Sequence, residues 1–144
     1  MALRILIEEP DSNEEDTVII RCRNVDSSIL SLISGLKAGG NIVGYDGESI
    51  VRIPPDDVYY FEAVDNKVFI YCMEKVYESK SKLYELEEAG HDYLRISKSV
   101  IVNLTKIKSI SPALSGRFEA VLINKEKLII SRQYVPELKH KLGV

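Results

Sequence analysis

The chain has 144 residues, of which 45% are hydrophobic and 28% charged, and its formal net charge is −3. This composition is ordinary for a soluble globular protein of one domain or two small ones. Two widely spaced cysteines, Cys22 and Cys72, exclude a disulfide framework and favour reduced, partly buried thiols in the cytoplasm. No segment approaches the roughly 18 apolar residues of a membrane span, so we expect a cytoplasmic protein without membrane contact.

The charge is divided unevenly along the chain. Residues 1–92 hold nine basic and nineteen acidic residues, a balance of −10, whereas residues 93–144 hold ten and three, a balance of +7. Such an asymmetry favours a polyanionic partner for the basic part. The alternative is that the two parts of the chain attract one another.

Residues 1–40 are predicted to fold as β-β-α. "LRILIEE" and "TVIIRCR" have the β-branched composition of strands and flank the turn-forming "PDSNEED". Asp26 is a good N-cap for a helix whose apolar stripe comprises Ile29, Leu30, Ile33 and Leu36. Gly39-Gly40 should end that helix. We place a domain boundary at Pro54-Pro55, which divides the chain into a leader, residues 1–54, and a second domain, residues 55–144.

From residue 41 onwards the pattern predicts one strand after another. Asp46-Gly47 and Asp65-Asn66 are hairpin turns between strand-like runs, and "KVYES" continues the second hairpin as a third strand. "SKLYELEEAG" predicts a short helix with Ser81 as a possible N-cap. The strands "YLRIS", "SVIVNL", "KIKSI", "RFEAVLI" and "KLIISR" follow, and "YVPELKHKLG" predicts a closing helix that begins near Pro136.

The sequence contains no recognisable catalytic constellation, so we predict a protein that is not an enzyme and that needs no cofactor or metal. His91 and His140 lie in polar surroundings without a second ligand at metal-binding spacing. Phosphate-binding, dinucleotide-binding and nucleophile-elbow motifs are absent. Asp56-Asp57 is most simply a turn that enters a strand.

The order of motifs from about residue 55 to residue 142 resembles the LytTR-type DNA-binding domain. Three marks carry the resemblance: the opening hairpin "YFEAVDNKVFI", the core "YLRISKSVIVNLTKIKSI" and the closing "LIISRQYVPELKHKL". The resemblance implies a mainly β fold (α+β overall) of small stacked antiparallel sheets with short helices. It also implies a sequence-specific transcription regulator that contacts successive major grooves of double-stranded DNA through loops, here in a stand-alone form without a receiver domain.

The same resemblance points to the residues that would contact DNA. Asn66 and Lys67 match a first contact loop, and Arg132 in "SRQY" matches a position near DNA, where an arginine fork can address guanine. The family commonly has His and Arg before the core serine, whereas this chain has Ser97 and Lys98 before Ser99. A lysine still suits a phosphate, and the serines can bond phosphate oxygens or base edges. Arg117, beside a glycine, is a further candidate.

Several neighbouring residues have simpler interpretations. Arg95 alternates with apolar residues and is expected to form a salt bridge on a strand face. The aromatic residues of the first two strands are expected to pack in the core rather than to stack on single-stranded bases. Lys106 and Lys108 are expected to contribute general attraction only.

The apolar helix stripe of residues 1–54 needs a cover. We predict that this leader forms a homodimer or docks on a regulatory protein, and dimers suit paired half-sites. The simpler alternative is that the helix packs on the sheet of the C-terminal domain. For the chain as a whole, the alternative function is a protein-interaction module whose basic C-terminal part binds an acidic partner.

Overall fold

The computed structural model describes residues 4–37 and 41–144. Seven strands form one antiparallel sheet in the order β2-β1-β5-β4-β3-β7-β6, with β1 Ile42–Asp46, β2 Ser49–Ile53, β3 Tyr60–Val64, β4 Lys67–Tyr71, β5 Val76–Ser79, β6 Tyr93–Arg95 and β7 Val100–Asn103. Three strands form a second antiparallel sheet in the order β10-β9-β8, with β8 Ile107–Pro112, β9 Phe118–Leu122 and β10 Lys127–Ile130. The helices are α1 Ser27–Lys37, α2 Leu83–Glu87 and α3 Val135–Leu142.

The predicted fold class is confirmed, because the described residues are mainly antiparallel strands with short helices.

Local turn chemistry explains the hairpins. Asp65 and Asn66 have φ angles of 51° and 63°, the left-handed conformations that a two-residue hairpin turn requires. Gly47 allows the same conformation between β1 and β2, with φ of 62°. Gly143, with φ of 77°, closes α3 in the left-handed conformation that commonly ends helices.

The seven-stranded sheet lies between two hydrophobic clusters, and β7 shows this most clearly. Val100 and Val102 face a cluster that includes the three-stranded sheet and α3, whereas Ile101, between them, faces a cluster that includes α2. Successive side chains of a strand point to opposite faces, so β7 is buried on both sides. The arrangement matches the predicted stack of small sheets.

The aromatic residues pack as expected. Tyr59, Tyr60 and Phe61 are all buried. The Tyr60 ring stacks on Tyr71 with centroids 4.2 Å apart, and Phe61 meets Tyr93 edge-on at 5.2 Å. Burial, reinforced by a hydrogen bond and the charge of Glu126, raises the pKa of Tyr60 well above its ordinary value. These rings are therefore core residues and not a platform for single-stranded bases.

The two strands predicted for the leader are wrong, because residues 4–26 contain neither strand nor helix. Antiparallel pairing of "LRILIEE" with "TVIIRCR" would bring Arg4 close to Arg21 and Arg23. The same pairing would bring Glu8 and Glu9 towards the acids that precede Thr17. Like charges across a strand pair are destabilising, and no other strand among the described residues covers these segments.

The predicted leader helix is confirmed as α1. The Asp26 side chain caps it by accepting a hydrogen bond from the Ile29 N–H at 3.0 Å. Ile29 is buried and Leu30 exposed. The predicted helix end at Gly39-Gly40 and the side chain of Leu36 lie outside the described residues.

The hairpin β1–β2 joins the seven-stranded sheet, because Tyr45 of β1 pairs with Glu78 of β5. Its Ile42 and Ile53 lie in the same cluster as Phe61 and Ile101. Residues 42–53 therefore pack with residues that follow them in the chain. The boundary at residue 54 stays a prediction.

The helix α2 begins one residue later than its predicted cap implies. Lys82 rather than Ser81 precedes its first turn, and the Lys82 N–H donates to the Glu85 carboxylate at 3.2 Å.

Of the two cysteines, neither of which is in a disulfide, Cys72 is half-buried and Cys22 is exposed. Burial, with the charge of Asp57, raises the pKa of Cys72 to about 11. The prediction of a partly buried thiol is therefore confirmed for Cys72 only.

Candidate nucleic-acid interface

Three loops from distant parts of the chain meet at one end of the two sheets. The first loop joins β6 to β7, the second precedes β9, and the third follows β10. A backbone hydrogen bond joins two of them, because the Ser131 N–H donates to the Ile96 carbonyl oxygen at 2.8 Å. This bond fixes the residues after β10 against the residues after β6.

These loops line a shallow polar groove. Its eight lining residues are Ser97, Lys98, Ser99, Ser115, Arg117, Ser131, Arg132 and Gln133. Three carry positive charge and none is a carboxylate, although the whole chain is acidic. A concave surface of cations and hydroxyl groups can bind phosphate oxygens and can also present donors to base edges. The groove therefore suits a polyanion.

The loop between β6 and β7 is held in shape by its own side chains. The Arg95 guanidinium donates to the Lys98 carbonyl oxygen at 2.8 Å, and its Nε lies 3.5 Å from a Glu87 carboxylate oxygen. The Ser99 N–H donates to Ser97 Oγ at 3.2 Å. The salt bridge predicted for Arg95 is confirmed. Its additional contact with the loop, which sequence reasoning missed, positions the backbone of Lys98.

The loop before β9 depends on left-handed backbone conformations. Ser115 and Gly116 have φ angles of 62° and 76°, and the Ala113 N–H donates to the Arg117 carbonyl oxygen at 2.8 Å. A Cβ atom at Gly116 would lie 2.8 Å from Cδ of Arg132. The Arg132 side chain therefore lies directly on the glycine backbone, and the missing side chain is what makes room for it.

Five of the seven predicted contact residues line the groove, namely Ser97, Lys98, Ser99, Arg117 and Arg132. Asn66 and Lys67 do not line it. They lie at the turn between β3 and β4, which is exposed. The Ala63 N–H donates to the Ser99 carbonyl oxygen at 2.8 Å, so this turn extends from the same end of the sheet as the groove.

Ser115, Ser131 and Gln133 also line the groove but were not predicted. Gln133 follows Arg132 in "SRQY", and its side-chain amide is a natural partner for adenine. Its position next to Arg132 is the feature of the sequence that could have indicated Gln133. Nothing local in the sequence indicates Ser115, because its place depends on how the loop before β9 folds.

Other kinds of site find little support in the described part of the chain. Residues 4–37 and 41–144 hold no group of three or more His, Cys, Asp or Glu side chains that could bind a metal ion. None of the helices in these ranges is long and apolar enough to cross a membrane. His91 and His140 are both exposed.

Known proteins resemble this chain in sequence. A sensory transduction protein LytT of Enterococcus faecalis is 29% identical over 99 residues, which are 67% of this chain and 41% of that protein. An uncharacterised HTH-type transcriptional regulator of Staphylococcus aureus is 29% identical over 118 residues, 81% of this chain and 80% of that one. The chain thus spans less than half of the first relative and most of the second.

A solved structure resembles this chain in fold. It is the LytTr DNA-binding domain of a putative methyl-accepting/DNA response regulator from Bacillus cereus. The TM-score is 0.69 at 26% sequence identity, and the match covers 73% of this chain and 98% of that one. The family model of the LytTr DNA-binding domain matches residues 48–143, which include both sheets, apart from β1, and every residue of the groove. The chain belongs to the LytTR family of DNA-binding domains, as the motifs of its sequence predicted.

Proposed function

We propose that this chain regulates transcription in the bacterial cytoplasm by binding double-stranded DNA sequence-specifically. The observation that carries the proposal is the groove, where Lys98, Arg117 and Arg132 come from three separate loops and meet without a carboxylate among the lining residues. Membership of a DNA-binding family and the resemblance to transcriptional regulators support the same function.

The loops, rather than a helix, would make the contacts with successive major grooves. The helix that follows Arg132 is α3, and its Val135 and Leu138 are buried in the core. That face of α3 is thus committed to packing, whereas Ser131, Arg132 and Gln133 of the preceding loop line the groove. Asn66 and Lys67, on the neighbouring turn, would extend the contact along the DNA.

Roles within the groove follow from the chemistry of each side chain. Lys98 is an exposed cation, which suits a phosphate oxygen. Arg132 can bond guanine O6 and N7 with two parallel hydrogen bonds. Ser97 already accepts the Ser99 N–H, so its hydroxyl hydrogen remains to be donated to phosphate or base. Arg117 adds a third cation on a separate loop.

Selection of bound duplexes from a random double-stranded pool, at low and physiological salt, tests the proposal. We expect enrichment of a short motif, repeated about one helical turn apart if two copies bind together. Binding at low salt without enrichment would reduce the groove to backbone attraction. Absence of binding at both salts would refute the proposal and direct the search to an acidic protein partner.

Arg132→Ala gives the sharper test of base reading. We expect it to weaken binding to the selected site by about 1–3 kcal/mol and to relax the preference at one base pair. Arg52→Ala is the matched control. Arg52 is exposed on β2, at the opposite edge of the seven-stranded sheet from β6. Equal weakening on every sequence by Arg132→Ala would contradict its base-reading role.

A further inference from the structure

An exposed leucine lies in the loop before β9, beside the cationic groove. Leu114 is 86% exposed, more than any other large apolar side chain of residues 48–143. It directly precedes Ser115, and both Ser115 and Arg117 line the groove. Single exposed apolar side chains are ordinary on protein surfaces and need no explanation by themselves. Leu114 differs from them in the way that its loop is built.

Two backbone hydrogen bonds close the loop around Leu114. The Ala113 N–H donates to the Arg117 carbonyl oxygen at 2.8 Å, and the Arg117 N–H donates to the Leu114 carbonyl oxygen at 3.3 Å. Between these bonds, Ser115 and Gly116 both have left-handed backbone conformations. Such a conformation is unfavourable for a serine, so the surrounding bonds must maintain it. The loop therefore presents the leucine to solvent on a backbone that its own hydrogen bonds hold in place.

The same loop limits the distance between Leu114 and Arg132. The Arg132 side chain lies on Gly116, since a Cβ atom there would be 2.8 Å from its Cδ. Gly116 is two residues from Leu114, and two residues span at most about 7 Å. Successive bases of one DNA strand are about 3.4 Å apart. In the proposed complex, a base that Leu114 contacts would therefore lie within a few base pairs of the base that Arg132 contacts.

The groove itself offers polar groups for recognition but no large apolar side chain. All eight of its lining residues are cationic or carry a hydroxyl or an amide group. Arg132 suits guanine and Gln133 suits adenine, each through paired hydrogen bonds in the major groove. Thymine is marked there by its 5-methyl group, which takes an apolar contact. Leu114, next to the groove, supplies the apolar side chain that such a methyl group requires.

We propose that Leu114 enters the major groove of the DNA beside these polar contacts and packs on the 5-methyl group of a thymine. The contact deepens the proposed function and rests on it, because it requires the groove to face duplex DNA. It makes Leu114 a specificity-determining residue for an A·T pair at one position of the site. The loop already holds the leucine in place, so little conformational freedom is lost when the contact forms.

Replacement of single thymines by uracil in the selected duplex tests the contact. Uracil lacks the 5-methyl group and keeps the hydrogen-bonding groups of thymine. Burial of one methyl group corresponds to about fourfold in affinity. We therefore expect uracil at one position to weaken binding of the wild type about fourfold, as measured by fluorescence anisotropy. The same replacement should leave the affinity of Leu114→Ala unchanged, because this variant has already lost the contact.

Three comparisons separate an apolar contact from other effects of the substitution. Leu114→Ala should weaken binding to the thymine duplex about four- to tenfold, and equally at low and physiological salt, because an apolar contact releases no counterions. Leu114→Met keeps an apolar side chain of similar volume and should retain most of the affinity. Ile50→Ala is the matched control and should bind as the wild type does. Ile50 is 68% exposed on β2, at the opposite edge of the seven-stranded sheet from β6.

Three results would overturn the thymine contact and leave the proposed function standing. The first is a Leu114→Ala variant that binds the selected duplex as tightly as the wild type. The second is a uracil effect of the same size in both proteins, which would place the methyl group against another residue. The third is a Leu114→Ala variant that reduces DNA bending while no uracil replacement matters, which would make the leucine a wedge between base steps. A wild-type chain that selects no duplex would refute the proposed function and this contact together.

Discussion

Gly116→Ala should weaken DNA binding without removing any charged group. Gly116 has φ of 76°, and a Cβ atom there would lie 2.8 Å from Cδ and 3.1 Å from Cγ of Arg132. Real Cβ atoms do not approach carbon atoms so closely, so the exposed arginine side chain must move away. The backbone also becomes strained, because an alanine in the left-handed region costs about 1–2 kcal/mol.

Gly47→Ala separates these two effects. Gly47 has φ of 62°, close to that of Gly116, but a Cβ atom there would meet nothing within 4 Å. Both substitutions gain about 0.4–1 kcal/mol from the stiffer unfolded chain. We therefore expect both variants to lose a similar amount of stability, about 0–1.6 kcal/mol, and only Gly116→Ala to displace Arg132.

Fluorescence anisotropy with the selected duplex measures the difference. Complete loss of a bidentate arginine contact costs about 1–3 kcal/mol. A displaced guanidinium retains part of it, so we expect Gly116→Ala to weaken binding about 3- to 10-fold. Gly47→Ala should bind the duplex with the affinity of the wild type. Its melting temperature should nevertheless equal that of Gly116→Ala. Equal affinities for the two variants would refute the placement of Arg132 at the DNA.

Three further predictions concern the groove loops and the core. The logarithm of the DNA-binding constant falls as the logarithm of the salt concentration rises, and Lys98→Ala should make this slope shallower by about one. Lys75→Ala, at the exposed turn between β4 and β5, should leave the slope unchanged. Arg95→Ala should speed amide exchange at Ser99 and weaken DNA binding about 3- to 10-fold, by releasing the Lys98 carbonyl group; an unchanged exchange rate would contradict this positioning role. Asn103→Ala removes a buried bond to Val58 and two half-buried bonds to Thr105, and it should cost about 2–4 kcal/mol in urea unfolding. Asn124→Ala, which removes one exposed bond to the Glu126 N–H, should cost less than about 1 kcal/mol.

Local chemistry explains why most strands could be predicted. Asp65-Asn66 favours a tight hairpin through its own chemistry, since both residues tolerate the left-handed region that the turn requires. Asp26 likewise fixes the start of α1 with a bond three residues away. Such features depend on neighbours in sequence, and the sequence therefore carries them directly.

The leader shows where local chemistry is not enough. Its two segments have the composition of strands, yet Ile5 and Ile7 are 83% and 93% exposed. Among the residues that the structure describes, the backbone around them makes no hydrogen bond to another backbone group. A strand forms only with a partner, and composition does not say which partner is available. The prediction failed because it assumed that the nearest segment would serve.

The groove could be predicted in part from the sequence. The resemblance to the family indicated Lys98 and Arg132, which are 34 positions apart, but not the bond between Ser131 and Ile96 that brings their loops together. It also grouped Asn66 and Lys67 with the rest, although they lie on a separate turn. The contact of Gly116 with Arg132 depends on a backbone conformation that no residue pattern reveals.

In the proposed complex, the shape of the groove and its recognition of DNA depend on different groups. Its shape comes from groups that would touch no DNA, namely the Arg95 guanidinium, the Ser131 N–H and the bare backbone of Gly116. Its charge comes from Lys98, Arg117 and Arg132, which are all exposed and can change without disturbing the core. In the proposed complex the exposed cations and serines, among them Ser97 and Lys98, would set the binding specificity, while the supporting bonds keep three loops at one surface.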